Sequence, residues 1–156
     1  MARTYRLGPF RRGVNAFVAA LIRGGWGGRA NYLLTSIGRK TGQPRTTPVT
    51  LIEDAGGRWL VSPYGHVGWV YNVRAHPQIT LRRGSRTEVV QAEEVPPEVA
   101  GPVLKQYLSR ARITAPFFDA QARDPVQAFI HEASRHPVFR LSANTVRHTS
   151  DIASRA

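Results

Sequence analysis

The first apolar residues of the chain recur at the three- and four-residue spacing of a helix. The pattern predicts a helix over residues 9–23, which ends at the glycine-rich stretch 24–28. Its apolar positions are Phe10, Val14, Phe17, Val18, Leu21 and Ile22. The arginines at positions 11, 12 and 23 lie on or near the polar side, which also suits contact with an anionic membrane surface. We expect the helix to pack on the body of the domain instead.

From residue 30 the pattern changes to that of short strands. Five stretches rich in apolar and β-branched residues are separated by turn residues, and they cover 31–37, 46–53, 58–62, 78–82 and 86–95. In the second stretch, Thr47, Val49 and Leu51 alternate with Pro48, Thr50 and Ile52. Hairpin turns are predicted at 55–57 and 84–85. The five strands therefore follow one another mostly as a meander.

Helical patterns complete the chain. Residues 69–75 form two helical turns that end before Pro77, and Pro96 and Pro97 open a longer helix that runs to Arg110. A second helical stretch covers 117–134 with an interruption near Asp124, a last strand covers 137–142, and the tail beyond 143 is expected to fray. The order predicts one α+β domain over residues 1–156, around an antiparallel sheet that is open or closed into a barrel.

Composition removes several classes of chemistry. The 156 residues are 42% hydrophobic, which is enough for an ordinary core, and none is cysteine. Disulfides, thiolate catalysis and zinc–thiolate sites are therefore excluded. His131 and His136 are five residues apart and do not share a helical face, so we expect no metal site. His136 precedes a proline and is expected to be a turn residue. Without a signal peptide or a run of roughly 20 apolar residues, the expected location is cytoplasmic.

The charge points to an anionic partner. The net charge is +12, and Lys40 and Lys105 are the only lysines among 22 basic residues. Such a balance suits a nucleic acid, an anionic membrane surface or a small molecule that carries phosphate or carboxylate, although arginine-rich usage can also be a genome-wide bias. Exposed aromatics do not alternate with the basic residues as they do in single-strand binders. We therefore expect a small molecule rather than a nucleic acid.

The loop between the first two strands is the strongest local signal. Residues 38–45 read GRKTGQPR, so three cations, Arg39, Lys40 and Arg45, lie within seven residues. Gly38 and Gly42 permit backbone angles that turn N–H groups toward a ligand. An anion held here meets charge and backbone donors together, whereas the alternative is a solvated basic hairpin. The spacing of a Walker loop is absent.

These residues also carry a resemblance to a known family. The stretch 33–45, LLTSIGRKTGQPR, with Pro48 beyond it, resembles the deazaflavin-dependent nitroreductase family. The later stretch 69–77, WVYNVRAHP, is similar to the second signature of that family, in which Trp is followed by Asn, a small residue and Pro. The resemblance covers residues 32–94 well and the two ends weakly. The substrate-side tyrosines of the family have no match, and Phe117 and Phe118 occupy that region.

The resemblance implies a fold, a coenzyme and a set of binding residues. The fold is a split β-barrel of mostly antiparallel strands with flanking helices, related to flavin mononucleotide reductases. The coenzyme is the 8-hydroxy-5-deazaflavin F-420, whose side chain carries a phosphodiester and a glutamate tail. The implied phosphate-binding residues are Arg39, Lys40, Thr41, Gly42, Gln43, Pro44 and Arg45. The resemblance implies that a second set of residues contacts the rest of the coenzyme. These residues are Leu33, Leu34, Thr35, Ser62, Pro63, Tyr64, Gly65, Trp69, Val70 and Asn72.

The implied activity is hydride transfer between the deazaflavin C5 and an electron-poor small molecule such as an enone, a quinone or a nitroaromatic. Tyr64 and His66 are candidate proton donors, although each also suits a role in shaping the pocket. Trp26, Phe117 and Phe118 suit a flat apolar substrate. Two alternatives stay open: the same fold with flavin mononucleotide, and a basic module that binds nucleic acid or an anionic membrane. A peripheral membrane contact through the N-terminal helix and a homodimer also stay open.

Overall fold

The computed structural model describes residues 30–144, together with the single helical residue Ala16. Apart from Ala16, the predicted N-terminal helix lies outside the described residues, as do Trp26 and the tail beyond 144. The prediction of one domain over residues 1–156 therefore stays a prediction.

Six antiparallel strands close into a barrel. They are β1 (Asn31–Ile37), β2 (Pro44–Asp54), β3 (Gly57–Val61), β4 (Gln78–Arg83), β5 (Arg86–Glu94) and β6 (Val138–Ala143). Their order around the barrel is β1-β2-β3-β6-β5-β4. The predicted antiparallel sheet is confirmed, and of the two options that the sequence left open, closure is the one observed.

Alternation along the strands builds two apolar layers. In β2, Val49 and Leu51 face the barrel interior, where they pack with Leu34 and Leu81. Ile52 points outward, yet it is fully buried because helices cover that side of the sheet. The strand pattern therefore separates an interior core from a second core between the barrel and its helices.

Within residues 30–144, three α-helices flank the barrel: α1 (Gly68–Ala75), α2 (Pro97–Arg110) and α3 (Val126–Glu132). Helix α1 packs against the interior core, because the fully buried Val70 and Val73 belong to that cluster. Helices α2 and α3 contribute to the outer core. Among the described helices, none is long and apolar enough to cross a bilayer.

The prediction of a helical stretch over 117–134 is wrong for its first half. Arg112–Phe117 forms a 3-10 helix, residues 118–125 are non-helical, and α3 begins only at Val126. Pro125 lies just before the helix with extended backbone, and a proline disfavours helical angles at the residue preceding it. The other elements predicted within residues 30–144 are confirmed, with ends that differ by one or two residues.

Candidate functional site

The loop Gly38–Arg45, called the cationic loop below, is a closed turn with an exposed rim. The Gly38 N–H donates to the Gln43 carbonyl at 2.8 Å, and the Gly42 N–H donates to the Gly38 carbonyl at 2.8 Å. The Thr41 hydroxyl accepts from the Gln43 N–H at 3.2 Å. Gly42 has φ +68°, a left-handed conformation that side chains other than glycine's rarely adopt. The turn is thus held by its own backbone.

Two cations and two backbone donors remain available on this rim. Lys40 and Arg45 are exposed, and within residues 30–144 neither side chain has an ion pair or a hydrogen bond. The N–H groups of Lys40 and Thr41 likewise donate to no acceptor in that part of the chain. Converging N–H groups with flanking cations form an anion site. The donor set therefore fits a phosphate.

Arg39 plays a different part from its two cationic neighbours. Its backbone N–H donates to Asn72 Oδ1 at 3.1 Å, and its Nη1 donates to the same oxygen at 3.0 Å. The guanidinium also lies 5.0 Å from the Tyr71 ring centroid and reaches the Gly68 carbonyl at 3.4 Å. Asn72 is only 6% exposed. The two signature segments of the sequence therefore meet, because Arg39 ties the cationic loop to α1.

The loop Ser62–Gly65, called the ring loop below, follows β3 and precedes α1. The buried Ser62 hydroxyl donates to the Gly65 carbonyl at 2.5 Å, and the Ser62 N–H donates to the Pro137 carbonyl at 2.9 Å. Pro63 is buried, whereas Tyr64 is 37% exposed. The loop is therefore a folded turn that presents Tyr64 outward.

His66, the second candidate proton donor, is engaged at both ring nitrogens. Nε2 lies 2.7 Å from the Ser134 carbonyl, so it carries the proton and donates it there. Nδ1 then accepts from Arg74 Nη1 at 3.1 Å. Arg74 is itself held by Glu94 through contacts of 2.7 and 2.8 Å, which lower the pKa of Glu94. In this arrangement His66 ties the ring loop to α1 and to the segment before β6.

The two phenylalanines expected near the substrate have different surroundings. Phe117 is half-buried and meets the Tyr64 ring edge-on, with centroids 4.8 Å apart and planes at 85°. Phe118 is turned inward, is 6% exposed and stacks on His136 with centroids 4.0 Å apart. Of the two phenylalanines, it is Phe117 that forms a partly exposed aromatic wall with Tyr64 of the ring loop.

Several residues implied by the resemblance are core residues. Leu33, Leu34 and Val70 are at most 3% exposed, so their side chains are buried rather than on a surface, and Leu34 and Val70 belong to the interior core. Trp69 is half-buried and packs on Phe139 with centroids 5.9 Å apart. Thr35 is half-buried, with its hydroxyl 2.8 Å from that of Thr46 across the sheet. A direct coenzyme contact by each of these residues stays a prediction.

Sequence reasoning missed the polar layer behind the ring loop. Glu132 is 2% exposed, and its Oε1 accepts from the N–H groups of Asp119 and Ala120. His136 is 3% exposed, and burial lowers its pKa to about 4. It was predicted only as a turn residue before a proline. The sole signal in the sequence was a histidine and a carboxylate four residues apart near a helix end.

The fold and the site define a class of protein. The closed antiparallel barrel with its flanking helices is a split β-barrel fold. One solved F420-H2-dependent reductase superposes with a TM-score of 0.54 and 24% identity, over 73% of this chain and 95% of that one. A heme storage protein from Vibrio cholerae superposes with a TM-score of 0.53 and 16% identity, over 89% and 91%. These likenesses establish the fold alone.

The sequence comparison identifies the family. Residues 12–124 match the family described as F420H(2)-dependent quinone reductase, and the chain belongs to it. The F420H(2)-dependent quinone reductase of Mycobacterium tuberculosis is 32% identical over 90 residues, which are 55% of this chain and 58% of that protein. A relative from Mycobacterium bovis gives the same values. The resemblance to deazaflavin-dependent proteins is thereby confirmed, and the match spans little more than half the length of these relatives.

Proposed function

We propose that this chain is a reductase that binds reduced coenzyme F-420 and passes a hydride to a quinone-type acceptor. The observation that carries the proposal is the rim of the cationic loop, where Lys40 and Arg45 stand exposed beside two unpaired N–H groups. Membership of the family supports the coenzyme, and the name of the mycobacterial relatives supports the acceptor. A net charge of +12 favours a polyanionic coenzyme over a neutral one.

The residues divide the work of holding the coenzyme. Lys40, Arg45 and the N–H groups of Lys40 and Thr41 bind the phosphate of the side chain. Arg39 keeps the loop against α1 through Asn72, so that the phosphate end and the ring end stay in register. The ring loop, just before α1, and Trp69, in the first turn of α1, line the ring. The reduced deazaflavin supplies the hydride, and the protein binds, orients and shields it.

The acceptor contacts the aromatic wall of Tyr64 and Phe117. Two rings that meet edge-to-face offer an apolar surface for a flat conjugated molecule. Quinones are the acceptor class that the family name indicates, and enones and nitroaromatics are further candidates of the same electronic type. Tyr64 and His66 remain the two candidate proton donors, and both ring nitrogens of His66 have partners.

A fluorescence titration with coenzyme F-420 tests the phosphate assignment. Lys40→Ala and Arg45→Ala should each weaken binding by about 1–3 kcal/mol, the scale of a lost charged hydrogen bond. Lys105→Ala and Arg123→Ala make the same change in net charge at sites outside the loop, and they should leave the affinity unchanged. Unchanged affinity in both loop variants would refute the assignment. Oxidation of the reduced coenzyme by a soluble naphthoquinone, followed spectroscopically, tests the reaction.

Titrations with other ligands distinguish the proposed function from the two alternatives left open by the sequence. Tight binding of flavin mononucleotide, with none of F-420, would favour the flavin alternative for this fold. Binding of nucleic acid or of anionic vesicles that falls steeply with salt and does not need Lys40 would favour a basic module. A homodimer, a cytoplasmic location and a peripheral membrane contact stay predictions.

A further inference from the structure

The ring loop is supported residue by residue by the segment 134–137, called the buttress below. The Ser134 carbonyl accepts from His66, and the Pro137 carbonyl accepts from the Ser62 N–H at 2.9 Å. Between them, the Arg135 carbonyl lies so near Gly65 that a Cβ there would be 3.3 Å from it. The loop therefore takes its position from the chain just before β6.

His136 is the buttress residue whose buried side chain lies next to the ring loop. It is 3% exposed, and the backbone of Ser62 and Pro63 lies close enough to affect its protonation. One face of the ring stacks on Phe118, with centroids 4.0 Å apart and planes at 16°. Neither ring nitrogen completes a hydrogen bond of ordinary geometry. The ring thus acts mainly through its flat faces.

The stack couples the ring loop to the aromatic wall. Phe118 follows Phe117, and the two N–H groups after it, those of Asp119 and Ala120, are held by Glu132. Phe117 in turn meets Tyr64 of the ring loop at 4.8 Å. The ring loop is consequently connected to the segment of Phe117 and Phe118 in two ways. One is the surface contact between Tyr64 and Phe117, and the other runs through the buried ring of His136.

The charge state of His136 suits this role. Burial lowers its pKa to about 4, so the imidazole is neutral at pH 7. Its Nε2 lies 4.0 Å from Glu132 Oε2, a contact that is an ion pair only when the histidine is protonated. At neutral pH the contact between the ring and Phe118 is therefore one between two uncharged rings.

We propose that His136 is a positioning residue, whose ring, packed between Phe118 and the Ser62–Pro63 backbone, sets the position of the ring loop relative to Phe117. The role rests on the proposed function in one respect only: the ring loop is taken to line the coenzyme ring. If so, His136 controls how the ring and the acceptor face one another without touching either. A shift of the loop then lowers kcat more than it raises KM, because alignment acts on the transfer step.

A matched pair of substitutions tests the proposal. His136→Phe keeps a flat ring, whereas His136→Leu keeps an apolar side chain but no flat face; His131→Leu, at an exposed position on α3, is the control. In the coenzyme-free chain, hydrogen exchange at the amides of Ser62, Gly65 and Val67 should rise about tenfold or more in His136→Leu. It should stay within about twofold of the parent in His136→Phe and in the control.

Binding of F-420 and turnover with a quinone then test the expected effect on hydride transfer. His136→Leu should bind F-420 about fivefold to twentyfold more weakly and lose a larger factor in kcat, with His136→Phe near the parent in both. Unchanged exchange in His136→Leu, faster exchange with unchanged kcat, or equal damage in a folded His136→Phe would each overturn the proposal. If His136→Leu does not fold, Phe118→Leu removes the same stack from the other side. A parent chain that fails to bind F-420 refutes the proposed function, while exchange in the free chain still decides whether His136 holds the loop.

Discussion

The link between the cationic loop and α1 depends on one buried amide oxygen. Asn72 Oδ1 accepts both the backbone N–H and the Nη1 of Arg39, at 3.1 and 3.0 Å. Asn72→Ala removes the shared acceptor and leaves two donors in a partly buried place. We expect this change to lower the free energy of unfolding and to loosen the loop.

The magnitude follows from the two hydrogen bonds. A neutral amide hydrogen bond contributes about 1 kcal/mol net, and one from a charged donor about 1.5–3 kcal/mol. Because the guanidinium of Arg39 is exposed, the lower end applies, and the expected loss is about 2–3 kcal/mol. Asn72→Asp keeps the acceptor and adds attraction to Arg39, so it should lose less than about 1 kcal/mol.

Urea unfolding with linear extrapolation measures the loss, and hydrogen exchange at the Arg39 amide reports the local effect. Arg39→Ala is the matched partner, since it removes the side-chain bond but keeps the backbone one. The double variant with Asn72→Ala should show coupling of about 1 kcal/mol. Equal stability of Asn72→Ala and the parent, with unchanged exchange at Arg39, would refute the reasoning.

Two further predictions concern the layers around the site. Since the pKa of His136 is about 4 in the folded chain and about 6.5 when unfolded, the unfolded chain binds the extra proton between these values. The free energy of unfolding should therefore fall by up to about 3 kcal/mol as the pH drops from 7 to 4. Urea unfolding at several pH values should show a shallower fall in His136→Phe than in the parent. Parallel curves of unfolding free energy against pH for the two chains would contradict this. Gly101→Ala places a Cβ 2.5 Å from Ile130 Cγ1 and 3.1 Å from its backbone N, so the α2–α3 contact must open. Although alanine has the better helix propensity, thermal melting of Gly101→Ala should show a loss of stability of about 1–3 kcal/mol. A second substitution, Ile130→Ala, should restore only part of that stability. A Gly101→Ala variant more stable than the parent would count against the close approach of the two helices.

Much of the local structure was readable from the sequence. The alternation of Val49 and Leu51 against Ile52 identified β2, and the paired prolines identified the start of α2. The cationic loop was also readable, because glycines and clustered cations act on a few neighbouring residues. These features depend on contacts within a few residues, which is the range that a sequence pattern encodes.

The individual role of each residue in the candidate site could not be predicted from the sequence. Arg39, Lys40 and Arg45 look equivalent in the sequence, yet only Arg39 is turned back onto Asn72, 33 residues away. His136 looked like an ordinary turn residue, and its burial depends on Phe118 and on a loop that lies more than 70 positions earlier in the chain. Pairings at such separations are chosen by packing, which no local pattern records.

The sequence by itself therefore determined the strands, the starts of α1 and α2, and the position of the cationic loop. Only the tertiary structure decided that β1 pairs with both β2 and β4 to close the barrel. It also decided that α1 joins the cationic loop to the ring loop, and that the buttress holds the ring loop from behind. The physical reason is that backbone propensity acts locally, whereas burial and hydrogen-bond satisfaction are settled among residues that meet only in the folded chain.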